Sequence, residues 1–378
     1  MGKDQFDLFP CLKAPISGET QRLNLLALSR VRGIGEVSLK TFLKAYKDLR
    51  RVWEISPAEL RSLSAKAGLK LTDEVFKDIA ANRAKLEESA KLALESLHRQ
   101  GIQLLTDLDD AFPRQLRDIE DAPRWLFVQG NVELLSTPSL IAVVGTREAS
   151  PRGMKRARKL TQWLAERGFG IVSGLAEGID QAAHQAALNY GAPTIAVLGT
   201  GISVVFPSAT GPLRRQIIDA SGAIVSEYFP QDSYSRIRFV RRNRIQAGLS
   251  YATVPVEAKE RSGTAHTYRF AKAFNRVTFG IVNHGQPENG IVELMRRDGH
   301  PVFTLENPES MRALEELLRP VLPGNSALPK KTPFHTILRD FDRIVATDAL
   351  TENDIEVLKA ELTRRWENAT RGGQSSRP

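Results

Sequence analysis

The sequence predicts an α/β protein in which helices cover both faces of a mainly parallel sheet, with a small all-α module in front of it. After residue 98, short apolar runs alternate with amphipathic helical segments. Strands that are apolar on both sides and are separated by helices are typical of parallel sheets buried on both faces. With 42% hydrophobic and 26% charged residues, the 378-residue chain also has the composition of a globular protein with a substantial core.

Residues 1–97 are expected to form the helical module. Apolar residues recur there at spacings of three and four between Ser and Thr caps, in NLLALSRV, SLKTFLKAY, SPAELRSL and LTDEVFKDIAANRAKLEESAKLALESL. Gly33-Ile34-Gly35 joins two of these helices in the pattern of a helix-hairpin-helix. Such a turn is either a contact for a DNA backbone or an ordinary helix connection with Ile34 as a core plug, and the sequence favours neither.

Residues 98–315 are expected to form the α/β domain, and residues 316–378 a linker with one helix. The expected strands are RWLFVQG, LIAVVGT, FGIVSG, TIAVLGT, GAIVSEY, ATVPVEA, RVTFGIV and PVFTL. The Pro, Gly and Lys content of LLRPVLPGNSALPKKTP marks the linker. The segment TENDIEVLKAELTRRWEN is the expected helix, and a polar tail follows it.

Composition narrows the classes of partner. Cys11 is the only cysteine and the six histidines are scattered, so we expect no disulfide, no metal site and no cofactor. No apolar run approaches the roughly 20 residues of a membrane helix, and the N-terminus lacks the apolar stretch of a signal peptide. We therefore expect a cytoplasmic protein without membrane contact. The formal net charge of +9 favours an anionic partner that carries phosphates.

The loops that follow the strands are the expected ligand sites, because ligands of open α/β sheets bind beyond the carboxyl ends of the strands. After LIAVVGT, Gly145 lets an anion approach the backbone, and Arg147 offers a planar fork of donors. Backbone amides and hydroxyl groups of such loops can hold phosphates. The expected phosphate-binding residues are Gly145, Thr146, Ser173, Gly174, Gly178, Gly199, Gly201, Ser262, Gly263 and Thr264.

Three other polar residues, Asp180, His184 and His266, are of types that act in catalysis or metal binding. Asp180 and His184 lie one helical turn apart in GLAEGIDQAAHQAAL and could form a pair. No nucleophile or third ligand accompanies them, so we expect them to cap and orient the helix. His266 is expected to be a packing or surface residue for the same reason.

The segment RIRFVRRNRIQAGLS is the strongest cationic feature, with five arginines between positions 236 and 244 and no acidic residue among them. Phe239 within it suggests a surface for backbone phosphates and a stacked base. Roughly a third of such charges are expected to pair with acidic groups of the domain or of a dimer contact. The expected DNA-binding residues are Arg147, Arg238, Phe239, Arg241, Arg242, Asn243 and Arg244. Of these, Arg147, Arg241, Arg242 and Arg244 are expected to line one concave edge.

These segments, in this order, resemble the DNA-processing protein A family, also called DprA or Smf. The resemblance covers about residues 98–300 and includes VVGTRE, GIVSGLAEGIDQAAHQAAL, SEYFP, RFVRRNRIQAGLS and VEAKERSGT. It implies an extended Rossmann-like domain that binds single-stranded DNA in a basic pocket. It also implies a homodimer that protects the strand and hands it to a RecA-type recombinase during recombination or natural transformation.

The sequence departs from the family pattern in several places, and these leave the biological setting open. Phe206 stands where the family has a tyrosine before proline, and VNHG replaces the usual Val-Pro-Gly after the late strand. A divergent member in a mobile element or in phage defence fits equally well with these departures.

An alternative is a nucleotide-binding enzyme or sensor that resembles phosphoribohydrolases. Those enzymes carry a Pro-Gly-Gly-x-Gly-Thr-x-x-Glu motif whose carboxylate acts in catalysis. In ERSGTAHT, Thr267 stands where that glutamate should be, so Glu257 would have to act alone. We therefore expect no catalytic residue and rank DNA binding first.

Overall fold

The protein is described by a computed structural model that covers residues 16–285 and 290–322. Three features of the sequence lie outside the described residues, namely Cys11, most of the expected linker, and the helix expected within TENDIEVLKAELTRRWEN. The described residues all fall within one compact unit. None of the described helices combines the length and the apolar character needed to cross a lipid bilayer.

The N-terminal module consists of helices packed around one apolar core, as the sequence predicts. Its helices are α1 (Gly18–Ser29), α2 (Glu36–Tyr46), α3 (Arg51–Glu54), α4 (Pro57–Lys66) and α5 (Asp73–Arg99). The hydroxyl groups of Ser17 and Ser56 cap α1 and α4 by accepting hydrogen bonds from first-turn amides. Ile34 in the glycine hairpin is buried in this core, so it is a plug between the helices. Helix α5 continues through position 98, so the expected domain boundary at 97/98 falls inside a helix.

An eight-stranded sheet forms the centre of the α/β part, in the order β1-β2-β6-β5-β4-β3-β7-β8. All neighbours from β6 to β8 run parallel, while β1 and β2 are added antiparallel at one edge. A separate parallel pair joins β9 and β10. The strands are β1 (Ile102–Thr106), β2 (Trp125–Gly130), β3 (Leu140–Val144), β4 (Gly170–Ser173), β5 (Thr194–Val197), β6 (Ala223–Ser226), β7 (Ala252–Pro255), β8 (Val277–Thr278), β9 (Gly280–Val282) and β10 (Val302–Thr304).

Helices cover both faces of this sheet, which confirms the predicted architecture. Ile141 and Val143 of β3 point into a core shared with α7 and α8, whereas Leu140 and Ala142 point into a core shared with α10. Successive residues of a strand face opposite sides, so β3 has to be apolar along its whole length. The helices are α6 (Arg114–Arg117), α7 (Pro151–Ala165), α8 (Ile179–Asn189), α9 (Gly211–Asp219), α10 (Arg236–Leu249), α11 (Gly263–Ala273), α12 (Gly290–Arg297) and α13 (Pro308–Leu318).

The strand order reverses direction at β3. The chain passes from β3 through α7 to β4 on one side, and later returns to place β7 on the other side of β3. The loops after β3 and β7 therefore diverge and leave a crevice at the carboxyl ends of these strands. Open α/β sheets bind ligands at such a reversal point.

A buried ion cluster joins the N-terminal module to the sheet. Glu227, which follows β6 and has no exposed surface, accepts hydrogen bonds of 2.7 Å from both Arg244 of α10 and Lys40 of α2. Its backbone carbonyl also accepts a hydrogen bond from the indole of Trp125 on β2. Burial alone would raise the pKa of Glu227, but the charges of Arg244 and Lys40 outweigh that effect and lower it. The carboxylate is therefore ionised and binds two cations from distant parts of the chain.

We expect Glu227→Gln to lower the free energy of unfolding by about 3 kcal/mol, because the buried charge of Arg244 would keep only the half-exposed carboxylate of Asp121, 3.2 Å from its Nε, as an ionic partner. Chemical denaturation measures this loss. Lys40→Met is the matched control, since it leaves the pair of Glu227 and Arg244 intact, and its effect should be smaller. Combining Glu227→Gln with Arg244→Met removes both charges and should recover part of the loss. Equal destabilisation by Lys40→Met and Glu227→Gln would contradict this account.

Candidate nucleic-acid interface

A cavity of about 640 Å³ opens at the reversal point, between the end of β3, helix α10 and the first turns of α11. The residues of α10 that line it include positions 236, 239, 242, 243 and 246, which a helix brings to one face. Arg147 reaches the same cavity from the loop after β3. Cations from two separate stretches of sequence thus meet there.

Nine of the residues expected from the sequence line this cavity. They are Gly145, Thr146, Arg147, Phe239, Arg242, Asn243, Ser262, Gly263 and Thr264. The other expected residues lie elsewhere. They are Ser173, Gly174, Gly178, Gly199, Gly201, Arg238, Arg241 and Arg244.

Arg147 is an exposed cation held over an aromatic ring. Its guanidinium carbon lies 5.0 Å from the centre of the Phe239 ring. The loop before it is fixed by a 2.8 Å hydrogen bond from the amide of Thr146 to the carbonyl of Glu257. Gly178 allows this loop to pass close by, since a Cβ there would lie 2.4 Å from the carbonyl oxygen of Thr146. Gly178 also has a φ of +81°, which side chains disfavour.

Arg242 places a buried positive charge beneath the cavity. Its guanidinium donates to the carbonyl of Gly174 at 2.8 Å, to the side chain of Asn243 at 3.1 Å, and to the carbonyl of Val197. Burial, with a smaller contribution from the charge of Arg147, lowers the pKa of Arg242 to about 10. The group therefore remains charged near neutral pH and contributes its field to an anion in the cavity.

The expectation that Arg241 and Arg244 line the concave edge is wrong. Arg244 is 1% exposed and bound to Glu227, while Arg241 lies 3.4 Å from both Glu36 and Asp121. These two arginines are three residues apart in α10 and so share a face, which is turned away from the cavity-lining face.

Arg238 also has a carboxylate partner, Asp232, at 3.2 Å, and it lies outside the cavity. Three of the seven expected DNA-binding side chains are thus neutralised by acidic groups of the same chain. Two of the acidic partners, Glu36 and Asp121, stand far from α10 in sequence, whereas Glu227 and Asp232 shortly precede the helix.

The expected phosphate loops after β4 and β5 are used for internal packing. The hydroxyl of Ser173 donates to the carbonyl of Val143 at 2.7 Å inside the sheet. A Cβ at Gly174 would lie 2.3 Å from the guanidinium of Arg242, and one at Gly199 would lie 2.6 Å from the ring of Phe239. The amide of Gly201 donates to the carbonyl of Asp232 at 2.8 Å. These positions admit other parts of the protein to close contact and do not border the cavity.

Sequence reasoning missed several cavity residues. Arg236, Arg261, His266 and Arg269 all border the cavity and are exposed. Within the described part of the chain, none of the three arginines has a carboxylate within 4 Å. The sequence pattern could have indicated His266 and Arg269, because these two residues and Ser262 recur at the spacing that places side chains on one face of a helix, here α11.

Asp180 and His184 are buried on α8, as an orienting role requires. His184 has no exposed surface, and its Nδ1 lies 2.7 Å from the hydroxyl of Thr194. That hydroxyl donates its proton to the carbonyl of Ile171, so Nδ1 of His184 must be the donor in the first bond. Asp180 borders the cavity, and burial raises its pKa against the opposing charge of Arg242.

Glu257 holds the start of α7. Its carboxylate accepts hydrogen bonds from the amide of Ser150 at 3.1 Å and from the hydroxyl of Ser150 at 2.8 Å. The same hydroxyl caps α7 by accepting from the amide of Gly153 at 3.0 Å. Glu257 does not border the cavity. Among the residues that the structure describes, no group of three His, Cys, Asp or Glu side chains is arranged to hold a metal ion.

Comparison with known proteins gives consistent matches. The sequence model of a family described as DNA recombination-mediator protein A matches residues 103–307. Protein Smf of Synechocystis is 35% identical over 287 residues, which cover 75% of this chain and 70% of that protein. DNA processing protein DprA of Streptococcus pneumoniae is 45% identical over 174 residues, which cover 46% of this chain and 61% of that protein. An X-ray structure of the S. pneumoniae protein matches with a TM-score of 0.52 and 30% identity, over 74% of this chain and 98% of that one.

We expect the stability of the protein to depend on pH through His184. Burial, together with the charge of Arg242, lowers the pKa of His184 to about 3, from an ordinary value of 6.5. Between about pH 7 and about pH 5.5 the unfolded chain binds a proton at this position and the native state does not, so the free energy of unfolding should fall by about 1 kcal/mol.

The test is denaturation over this pH range with His184→Asn as the comparison. The asparagine amide can still donate to Thr194 but does not titrate, so the variant should lack this part of the pH dependence. Parallel pH profiles for the two proteins would rule out the assignment.

Proposed function

Because the chain belongs to the DNA recombination-mediator protein A family, a family of DNA-processing proteins, we propose that it binds single-stranded DNA in the cavity at the carboxyl ends of β3 and β7. The observation that carries this proposal is the set of cations at one opening that have no carboxylate within 4 Å among the residues the structure describes. Arg147, Arg236 and Arg269 come from three separate parts of the chain and border the same cavity. Phosphates of a nucleic acid strand would neutralise these charges and release counterions.

The preference for a single strand follows from the size and shape of the site. A volume of about 640 Å³ accommodates a few nucleotides of a flexible strand. Duplex DNA is stiff over about 150 base pairs and cannot bend sharply into a hollow of this size without a large energetic cost. A strand whose bases are unstacked can follow the cavity and contact its aromatic residues.

The proposal extends to partners that the family description suggests. We propose that the protein acts as a homodimer that protects the strand and passes it to a RecA-type recombinase. Support comes from the description of the family as recombination mediators. The chain spans 70% and 61% of the lengths of the two relatives named above, so any activity of those whole proteins is ascribed to this chain only as a proposal. We propose that the protein acts in recombination, in DNA uptake or in phage defence.

We expect Arg236→Gln and Arg269→Gln each to weaken the binding of oligo-dT and to lower the salt dependence of binding. For single strands, each lost phosphate contact should reduce the slope of log K against log salt by about 0.7. Fluorescence anisotropy titrations at several salt concentrations measure this slope. Arg238→Gln is the matched control on the same helix, since Arg238 is paired with Asp232, and its slope should match the wild type.

Two outcomes of this titration would count against the pocket. One is an unchanged slope for both Arg236→Gln and Arg269→Gln. The other is tighter binding of a duplex than of the single strand at the same salt concentration.

The alternative function, hydrolysis of nucleoside monophosphates, has less support. Thr267 stands at the position of the catalytic glutamate in the hydrolase motif, and the carboxylate of Glu257 is used to hold the start of α7. We therefore expect no release of free base when the protein is incubated with a panel of nucleoside monophosphates. Turnover above background in a chromatographic assay, abolished by Glu257→Gln, would favour the enzyme instead.

A further inference from the structure

An aromatic cluster lies beside the cavity and consists of Phe206, Tyr234 and Phe239. Ring centres are 4.6 Å apart for Phe206 and Tyr234, and 5.0 Å apart for Tyr234 and Phe239. Tyr234 and Phe239 border the cavity, and Phe206 lies beyond them. The cluster therefore runs from the cavity out onto the surface.

The ring of Phe239 is largely covered. The guanidinium groups of Arg147 and Arg242 lie 5.0 Å and 5.4 Å from its centre, and Gly199 packs against it. Phe206 and Tyr234 are 38% and 44% exposed, and Ile237, three residues after Tyr234 in the chain, is 70% exposed. Large apolar side chains that remain exposed together on a protein surface mark an interaction site.

The two loops that carry these exposed rings are fixed to each other. Phe206 belongs to the loop after β5 and Tyr234 to the loop after β6. Backbone hydrogen bonds join the loops, from Gly201 to Asp232 at 2.8 Å and from Ser203 to Pro230 at 2.9 Å. The rings are thus presented by paired loops, so little conformational freedom is lost when a ligand binds to them.

We propose that Phe206 and Tyr234 stack the bases of the nucleotides that lie just outside the cavity. This inference rests on the proposed function and names a second contact zone for the same strand. The charges nearby favour this occupant. Arg147 and Arg236 border the same opening, and neither has a carboxylate partner in the described ranges 16–285 and 290–322, while Asp232 is bound by Arg238. Flat apolar rings beside cations match a ligand that alternates bases with phosphates.

Removal of the two rings should affect the salt dependence of binding differently from removal of the cations. Stacking on aromatic rings releases no counterions, whereas contacts with phosphates do. Loss of the rings should therefore weaken binding by the same factor at low and high salt, and only for oligonucleotides long enough to extend beyond the cavity.

The test compares Phe206→Ala/Tyr234→Ala with the wild type on oligo-dT strands of increasing length, at two salt concentrations. We expect the Kd for the longer strands to rise about tenfold, with an unchanged salt slope and little effect on the shortest strands. When the strand carries a 2-aminopurine base next to the cavity, the wild-type rings should quench its fluorescence, and the double alanine variant should not. Tyr190→Ala is the matched control, because Tyr190 is 48% exposed at the far end of α8.

Further variants separate stacking from general damage. Phe206→Tyr and Tyr234→Phe keep a ring and should bind like the wild type, while Tyr234→Leu keeps an apolar side chain without a ring and should weaken binding. Thermal denaturation of each variant checks that it is folded. Wild-type affinity of Tyr234→Leu and of the double alanine variant would overturn the inference and assign the rings to another partner, such as a protein.

The inference and the proposed function fail in different ways. If the double alanine variant binds normally while Arg236→Gln does not, only the stacking zone is refuted. If the wild type shows no affinity for single strands, the proposed function fails and the stacking zone fails with it. A changed salt slope in the double alanine variant would also overturn the inference, because it would mean that the cations had moved.

Discussion

The buried ion pair between Arg244 and Glu227 determines how the arginine-rich helix α10 is oriented. A guanidinium that is 1% exposed requires a carboxylate beside it, and Glu227 is held in place by the end of β6 and the indole of Trp125. Once Arg244 faces Glu227, helical geometry turns Phe239 and Arg242 towards the crevice on the other side. The burial of Arg244 against Glu227 therefore determines that Arg242 is the arginine of α10 beneath the cavity.

The same cluster makes the N-terminal helices part of the α/β unit. Lys40 and Glu36 of α2 contact Glu227 and Arg241, so the second helix of the glycine hairpin lies against α10. The ammonium group of Lys40 is occupied by two carboxylates, which leaves Arg30 and Arg32 as exposed cations beside the glycines of the hairpin. Ile34 is buried, and Gly33 has a φ of +96° and packs against Val75, so the core accounts for these two residues of the turn. Any role in DNA contact would rest on these two arginines.

The sequence predicts the architecture well because the apolar pattern of strands such as β3 reflects burial on both faces, which few other folds impose. It predicts the location of the cavity for a similar reason, since the loops after parallel strands meet at one edge. It does not show which glycines border a ligand. Gly145 lies at the cavity, whereas Gly174 and Gly199 make room for Arg242 and Phe239 of the same chain. A glycine that borders a ligand and a glycine that admits a neighbouring side chain look the same in the sequence.

Likewise, the spacing of arginines in α10 separates two faces, but it does not reveal which face meets carboxylates. That depends on Glu36 and Asp121, which lie more than a hundred residues away in the chain. A further long-range link concerns Glu257, which follows β7 and holds Ser150 and Thr146 on the loop after β3. The two sides of the opening are thereby joined, so its width is set before any ligand arrives. The flexibility that is lost on binding then belongs to the incoming polymer, and a chain already stiffened by base pairing or by a coating protein would be admitted less readily than a bare one.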